Sequence, residues 1–377
     1  MIAAPGLPLM RTSAWPLALL YAGLILYASL YPFSGWRVQG VEPWSWMTAP
    51  WPQYWTAFDL YANFLGYVPL GFLIAVAVLR LGGRRGAWWV LGGGLPMLLS
   101  AGIESAQTYL LMRVASNVDF GLNTAGGALG CVLAWLANRG GLLQHWGRWR
   151  ESWFDPRAHG SLVLLAVWPL ALLYPLSIPF GLGQAWDRLT DALAEWMGDT
   201  PFVHWLPEPG LPADPLSPLT EAFCVALGLL APLLMAYGDM RFWWRRLVFA
   251  AVFLAGAWAV AGLSGALTYG PAHAWAWATE PAIAGLAGAG VAALACAPLS
   301  RRLCHALMLM CLGVSLALLN RAPEVPYFAQ SIEVWEQGRF IRFHGVSQWL
   351  GWLWPYAAIA FGLGAVARSP GHAGARA

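Results

Sequence analysis

The 377-residue chain is 59% hydrophobic and only 10% charged, whereas soluble globular domains carry about a quarter charged residues, and this excludes a soluble globular fold. All 21 basic residues are arginines in short scattered clusters and the net charge is +3, so no basic domain exists for a nucleic-acid partner. Cys131, Cys224, Cys296, Cys304 and Cys311 fall in or beside apolar runs, with neither metal-ligand spacing nor a paired extracellular framework, and read as small buried hydrophobes.

A bilayer core of ~30 Å needs about 20 mainly apolar residues per helix. In chain order, spans are expected near 13–33, 58–80, 87–110 and 117–137, then near 161–182, 217–237, 246–269, 281–298, 303–320 and 348–367. The first run follows Arg11, but it is too long for a signal-peptide apolar region and no clear small-x-small cleavage site follows. The expected fold is an all-α, polytopic integral membrane helical bundle of about ten transmembrane helices.

Arginines follow every even-numbered span: Arg80, Arg84 and Arg85; Arg139, Arg148, Arg150 and Arg157; Arg241, Arg245 and Arg246; Arg301 and Arg302. The positive-inside rule then places both termini in the cytoplasm, the membrane being a bacterial inner (cytoplasmic) membrane. The alternate loops face outward, including the acidic connection 184–216 with Asp187, Asp191, Glu195, Asp199, Glu208 and Asp214. The first outward loop, GWRVQGVEPWSWMTAPWPQYWTAF, is rich in Trp and reads as an interfacial aromatic belt, with stacking on a sugar or headgroup as the alternative.

With this orientation Asp59 opens the second span and Asn63 lies one turn deeper on the same face. Glu104 and Gln107 share a face near the outer end of the third span, Arg113 lies in the short outer turn, and Asp119 and Asn123 begin the fourth. Three helix ends are thus expected to bring carboxylates and carboxamides to the outer leaflet boundary, with a guanidinium over them. An ionisable group within a span costs at least ~2.5 kcal/mol unless paired or wetted. Two causes satisfy that cost: ion pairs and hydrogen bonds that lock the helices together, or a polar pocket that holds a headgroup. Gly126 and Gly130 form a small-xxx-small ridge for close helix approach, while Pro69 and Gly71 interrupt and bend the second span.

The stretch DLYANFLGYVPLGFLIA resembles the N-x-x-x-F-x-P-x-G-F signature of VanZ-like membrane proteins. The stretch IESAQTYLLMRVASNVDFGLNTAGGALG, residues 103–130, resembles the family's second signature, which runs E-x-x-Q, then R-x-x-[DS]-x-x-D-x-x-x-N-T-x-G-x-x-x-G. The resemblance covers about residues 13–137 and places Asn63, Pro69, Gly71, Glu104, Gln107, Arg113, Asp119, Asn123 and Gly126 at the family's marked positions. Ser116 stands where many members carry Asp, which removes one carboxylate from any metal site or acid-base pair built on it. The resemblance implies an envelope-related role, since the namesake is associated with low-level resistance to the glycopeptide teicoplanin; it implies no reaction.

The second half reads as a degenerate copy of this four-helix unit. LLYPLSIPFG at 172–181 echoes LYASLYPFSG at 26–35, the segment at 219–237 echoes that from Asp59, and the stretch from Ser264 echoes that from Ala101. Glu221 then stands near the place of Asp59 and Glu280 near that of Asp119, with no counterparts of Glu104, Gln107 or Asn123. The expected domains are a VanZ-like four-helix unit over 1–140, a cytoplasmic basic linker over 141–160, a degenerate second unit over 161–300, and two further helices over 301–377. The loop at 321–345, with Glu333, Glu336, Arg339 and Arg342, reads as a solvated amphipathic segment, with a lid over the outer face as the alternative.

Three functions remain open from the sequence: a protein that engages a lipid or lipid-linked glycan through the polar cluster, a membrane enzyme using Glu104 or Asp119 as an acid-base group, and a structural subunit of an envelope complex. No Ser-His-Asp set, H-E-x-x-H, nucleophilic outward Cys or Gly-rich phosphate cradle is present. His145, His159, His204, His273, His305 and His344 are scattered, so no metal site and no cofactor is expected. Partners are the bilayer and a lipid or lipid-linked glycan.

Overall fold

The computed structural model describes residues 12–31, 33–51, 57–82, 86–156, 158–174, 176–198, 200–206, 216–322 and 341–367. Arg11, Arg84, Arg85, Arg157, Asp199, Glu208 and Asp214 lie outside the described residues, as do Glu333, Glu336 and Arg339 of the 321–345 loop. The described chain forms α1 (Ala14–Leu30), α2 (Ala57–Arg80), α3 (Ala87–Gln107), α4 (Asn117–Arg139), α5 (Leu142–Trp153) and α6 (His159–Ala171). It continues with α7 (Trp186–Met197), α8 (Pro218–Asp239), α9 (Trp243–Tyr269), α10 (Glu280–Cys296), α11 (Arg301–Leu319) and α12 (Ile341–Ala367). Among the described residues there is no strand beyond two isolated bridges.

Each of the ten expected apolar runs contains a helix. Six of these helices, α2, α4, α8, α9, α11 and α12, are long and apolar enough to cross a membrane, and the chain is an integral membrane protein. The other four fall short of the expected ten for identifiable reasons. α1, α6 and α10 are apolar but hold only 17, 13 and 17 residues, and α3 has 21 residues diluted by Gly92, Gly93, Gly94 and Glu104. The run expected over 161–182 stops being helical at Ala171. Pro175 and Pro179 follow, each without an N–H to extend the ladder, and Phe180 takes a left-handed backbone with φ 62°.

Two further helices, α5 and α7, were not among the expected elements. Neither contains a 20-residue apolar run, yet in both the apolar residues recur every three to four positions: Leu142, Trp146, Trp149 and Trp153 in α5; Trp186, Leu189, Leu193 and Trp196 in α7. Most of the segment expected to be a linker over 141–160 is therefore an amphipathic helix.

The chain divides into two compact units, Met1–Ser152 and Trp153–Ala377. In the first, α2 and α4 form the closest pair, α3 packs on both, and α1 lies along α2. The seam between α2 and α4 is backbone against backbone. A Cβ on Gly126 would strike the Phe64 carbonyl, one on Gly130 would strike the Val68 carbonyl and lie 2.7 Å from the Phe72 nitrogen, and one on Gly71 would strike the Gly127 carbonyl. Between membrane helices, where lipid tails are as apolar as leucine, such close van der Waals approach supplies much of the association. Pro69 sits within α2, which continues unbroken from Ala57 to Arg80; its missing N–H frees the Leu65 carbonyl. In the second unit α8 is the central helix, with Leu229, Leu233, Leu234, Met235 and Tyr237 wholly buried; α10 and α11 flank it and α6 packs on α12.

Candidate functional site

The turn from Thr108 to Ser116 in the first unit joins α3 to α4. Ser116 is the N-cap of α4: its backbone is extended and its hydroxyl oxygen accepts from the Asp119 N–H at 3.3 Å. This satisfies one of the donors that a helix start leaves open. The Ser116 N–H in turn donates to Glu104 Oε2 at 2.8 Å. Glu104 is 2% exposed, so a buried carboxylate on α3 is tied to the first residue of the next helix. Serine at this position, where the signature often has Asp, therefore acts as a cap.

Gln107 and Arg113 face elsewhere. Gln107 Nε2 donates to the Ser29 carbonyl at 3.1 Å, and the Arg113 guanidinium donates to the carbonyls of Ala28 at 3.1 Å and Tyr31 at 2.9 Å. Ala28 and Ser29 lie in the last turn of α1 and Tyr31 is its C-cap; carbonyls there have no intrahelical partner, and a cation also complements the helix dipole. The structure thus adds to the expected cluster a role the sequence did not reveal: two of its members fasten the C-terminus of α1 to the α3–α4 turn.

The remaining groups form two layers. In the deeper one, Asn123 Nδ2 donates to Ser100 Oγ at 3.0 Å. The Tyr67 hydroxyl approaches Ser100 and Glu104, yet it and Asn123 Oδ1 lack a partner with hydrogen-bond geometry among the described residues. In the outer layer, the Asn63 carboxamide on α2 faces the Asp119 carboxylate on α4, with the Asp59 carboxylate near Asp119. Asp59 is exposed, and Asn63 and Asp119 are half-buried. The result is an acidic rim across the ends of α2 and α4, above a buried floor of Glu104, Ser116, Ser100 and Asn123.

The aromatic loop covers one side of this arrangement. Trp46 is 2% exposed; its indole N–H donates to Ser105 Oγ at 3.3 Å and its ring packs on Phe120 at 5.1 Å. The loop is held further by Asn117 Nδ2 to the Ala49 carbonyl at 2.6 Å and Gln39 Nε2 to the Thr108 carbonyl at 3.0 Å. Trp36, Trp44 and Trp51 are exposed. Trp46 therefore differs from the aromatic residues around it, and nothing in the sequence singles it out.

A second polar cluster lies within the other unit. Arg301 donates to the Gly238 carbonyl at 2.7 Å and to Asp155 Oδ2 at 3.0 Å, and its second terminal nitrogen stands 3.8 Å from Asp239 Oδ1. The Ser161 hydroxyl donates to Asp239 Oδ2, and His305 Nε2 lies 4.0 Å from Asp239 Oδ1. Nearby, buried Arg246 donates to the carbonyls of Met240, Ala297 and Leu299 at 2.9, 2.8 and 2.6 Å, closing the ends of α8 and α10. Among the described residues no group of three or more His, Cys, Asp or Glu is arranged to hold a metal ion.

Residues 12–138 match the family model described as VanZ/LLP1, and the N-terminal portion of the chain is VanZ-like. No curated protein and no solved structure matches the chain.

Proposed function

We propose that the VanZ-like unit engages a lipid or lipid-linked envelope glycan from the outer leaflet, and that the contact is made by Asp59, Asn63 and Asp119. The observation that carries this reading is the outer layer itself: two carboxylates and a carboxamide from two helices meet at the solvent-accessible ends of α2 and α4. Paired acidic groups at a membrane boundary are costly and seldom persist without a role. The chemistry they select is a cationic, amine-bearing or hydroxyl-rich headgroup. Glu104, Ser116, Asn123, Gln107 and Arg113 hold the rim in place from below and from the side. Arg113, engaged with the carbonyls of α1, serves as a fastener of the turn in this reading.

The same reading places both termini in the cytoplasm of an inner membrane and gives the protein a cell-envelope role, with glycopeptide resistance as one form of it. It also includes the duplication. Phe33 and Phe180, in the two echoing Pro-Phe segments, both have φ 62°, a rare backbone for a bulky residue. Thr279 caps α10 through the Ala282 N–H as Ser116 caps α4 through that of Asp119. Gly285 of α10 abuts the Ala222 carbonyl of α8 as Gly126 of α4 abuts that of Phe64 in α2. Thr279 also donates to Glu221 at 3.3 Å, so the acidic group of the second unit is engaged by the helix cap.

Native mass spectrometry of gently solubilised protein tests the binding role. Wild type retains a lipid or lipid-linked sugar that Asp119→Asn and Asn63→Ala lose, at unchanged abundance and thermal stability. A delipidated wild type with full cellular function contradicts the proposal.

A further inference from the structure

We infer that the second unit binds a neutral sugar ring in an aromatic-walled cavity, a site independent of the reading above because its described lining residues all belong to the second unit. The cavity lies between the 172–180 segment, the C-terminal half of α9 and the 270–279 loop. It encloses about 60 Å³, room for roughly four to six waters.

The walls are built with unusual constraint. Trp277 meets Phe180 edge-on at 5.4 Å and Trp258 at 4.9 Å, while Trp168 stacks behind Phe180 at 6.2 Å. Phe180 reaches this position through its left-handed backbone, a conformation of the kind that clusters at functional sites. The loop is pressed onto α9: a Cβ on Gly265 would lie 2.7 Å from the Ala274 carbonyl and one on Gly262 would lie 2.6 Å from the Trp275 ring.

Three properties of the lining define the ligand. Among the described residues no Asp, Glu, Lys or Arg lines the cavity, so none of them compensates a charged ligand. The polar groups are those that read hydroxyls: Tyr174, Ser264 and Tyr269, with His273 exposed beside them. Gln348 Nε2 donates to the Tyr174 hydroxyl at 3.0 Å, which orients that ring. Finally, Trp277 Nε1 is buried and has no hydrogen-bond partner among the described residues. An indole nitrogen can only donate, and a buried donor left unmade is costly. A pyranose answers all three, with an apolar C–H face for the rings and hydroxyl oxygens at its edge for the indole and the side-chain hydroxyls. A hydrocarbon chain would leave the indole N–H unsatisfied.

The test uses the full chain in lipid nanodiscs, free of glycoside detergents, titrated with glucose, galactose and N-acetylglucosamine and read by saturation-transfer NMR. Saturable binding of at least one sugar is expected. Trp277→Phe, which keeps a ring and removes the N–H, weakens it about tenfold, the equivalent of one hydrogen bond, and Ser264→Ala provides a second variant should the first fail to fold. Absence of saturable binding by all three sugars, unchanged affinity in both variants, or displacement of the sugar signal by a short alkane overturns the inference.

Discussion

Replacing Gly130 by alanine adds a single methyl group where α4 rests on α2. Built at its ideal position, that carbon overlaps the Val68 carbonyl and lies 2.7 Å from the Phe72 nitrogen. Both obstacles are backbone, so no side chain can rotate away and the helix axes must separate. Alanine is also the better helix former, by about 1 kcal/mol, which offsets part of the damage and makes a control necessary. Gly121, on the same helix, has no atom within 4 Å of an added Cβ, so Gly121→Ala carries the same propensity gain without the overlap. The difference between the two variants isolates the overlap, about 1–3 kcal/mol by analogy with overpacked cores, with the upper end expected because the contact is to main chain. Each 1.4 kcal/mol is about tenfold in the unfolding constant. Chemical unfolding in bicelles, monitored by the far-ultraviolet signal, should therefore show Gly130→Ala unfolding at least several-fold more readily than Gly121→Ala. Equal unfolding constants would refute the backbone-against-backbone seam.

Other predictions follow from single side chains. Arg113→Ala removes two charge-assisted hydrogen bonds to the Ala28 and Tyr31 carbonyls, worth about 1.5–3 kcal/mol each where buried and less here, since Arg113 is only half-buried. Amide hydrogen exchange should accelerate at the end of α1 and leave α4 unchanged; unaltered exchange at Tyr31 would contradict the capping role. Asp239→Ala removes an acceptor of the Ser161 hydroxyl and the carboxylate that faces Arg301 at 3.8 Å and His305 at 4.0 Å. Breaking a buried pair of this kind costs about 3–5 kcal/mol, discounted here because the Arg301 side chain is 42% exposed. The melting temperature of the full chain should fall more for Asp239→Ala than for Arg241→Ala, whose ion pair with Asp155 is 4.0 Å long and 62% exposed on the arginine side.

The helices of the first unit were legible because each apolar run is interrupted by residues that only a helix end tolerates: Asp59 at one, Glu104 and Gln107 at another, Asp119 at the third. Their placement near helix ends follows from run lengths alone. What they bond to was not legible. Arg113 and Gln107 reach across some eighty residues to main-chain carbonyls, and a carbonyl carries no residue-specific signal. The cluster around Asp239 draws on Asp155 after α5, Ser161 at the start of α6, and Arg301 and His305 in the first turns of α11. The sequence signal of Arg301 was absorbed by the positive-inside rule, which explains an arginine's side of the membrane and says nothing of its partner. α5 and α7 escaped because a search for long apolar runs overlooks short amphipathic helices, although their three-to-four spacing was there to read. Trp46 had no distinguishing mark among its aromatic neighbours, since its burial depends on how the loop folds back over Ser105 and Phe120.

The central claim is an acidic rim formed by α2 and α4 at the outer face of the membrane. It is tested most directly by placing single cysteines at Asp59 and Asp119 in a chain whose five native cysteines are replaced by serine or alanine, and exposing intact spheroplasts to a membrane-impermeant maleimide. Labelling of both positions from the outside, blocked together by a common protecting reagent, is the predicted result. Labelling of the two positions from opposite sides of the membrane, or of both only after the membrane is breached, would contradict the account.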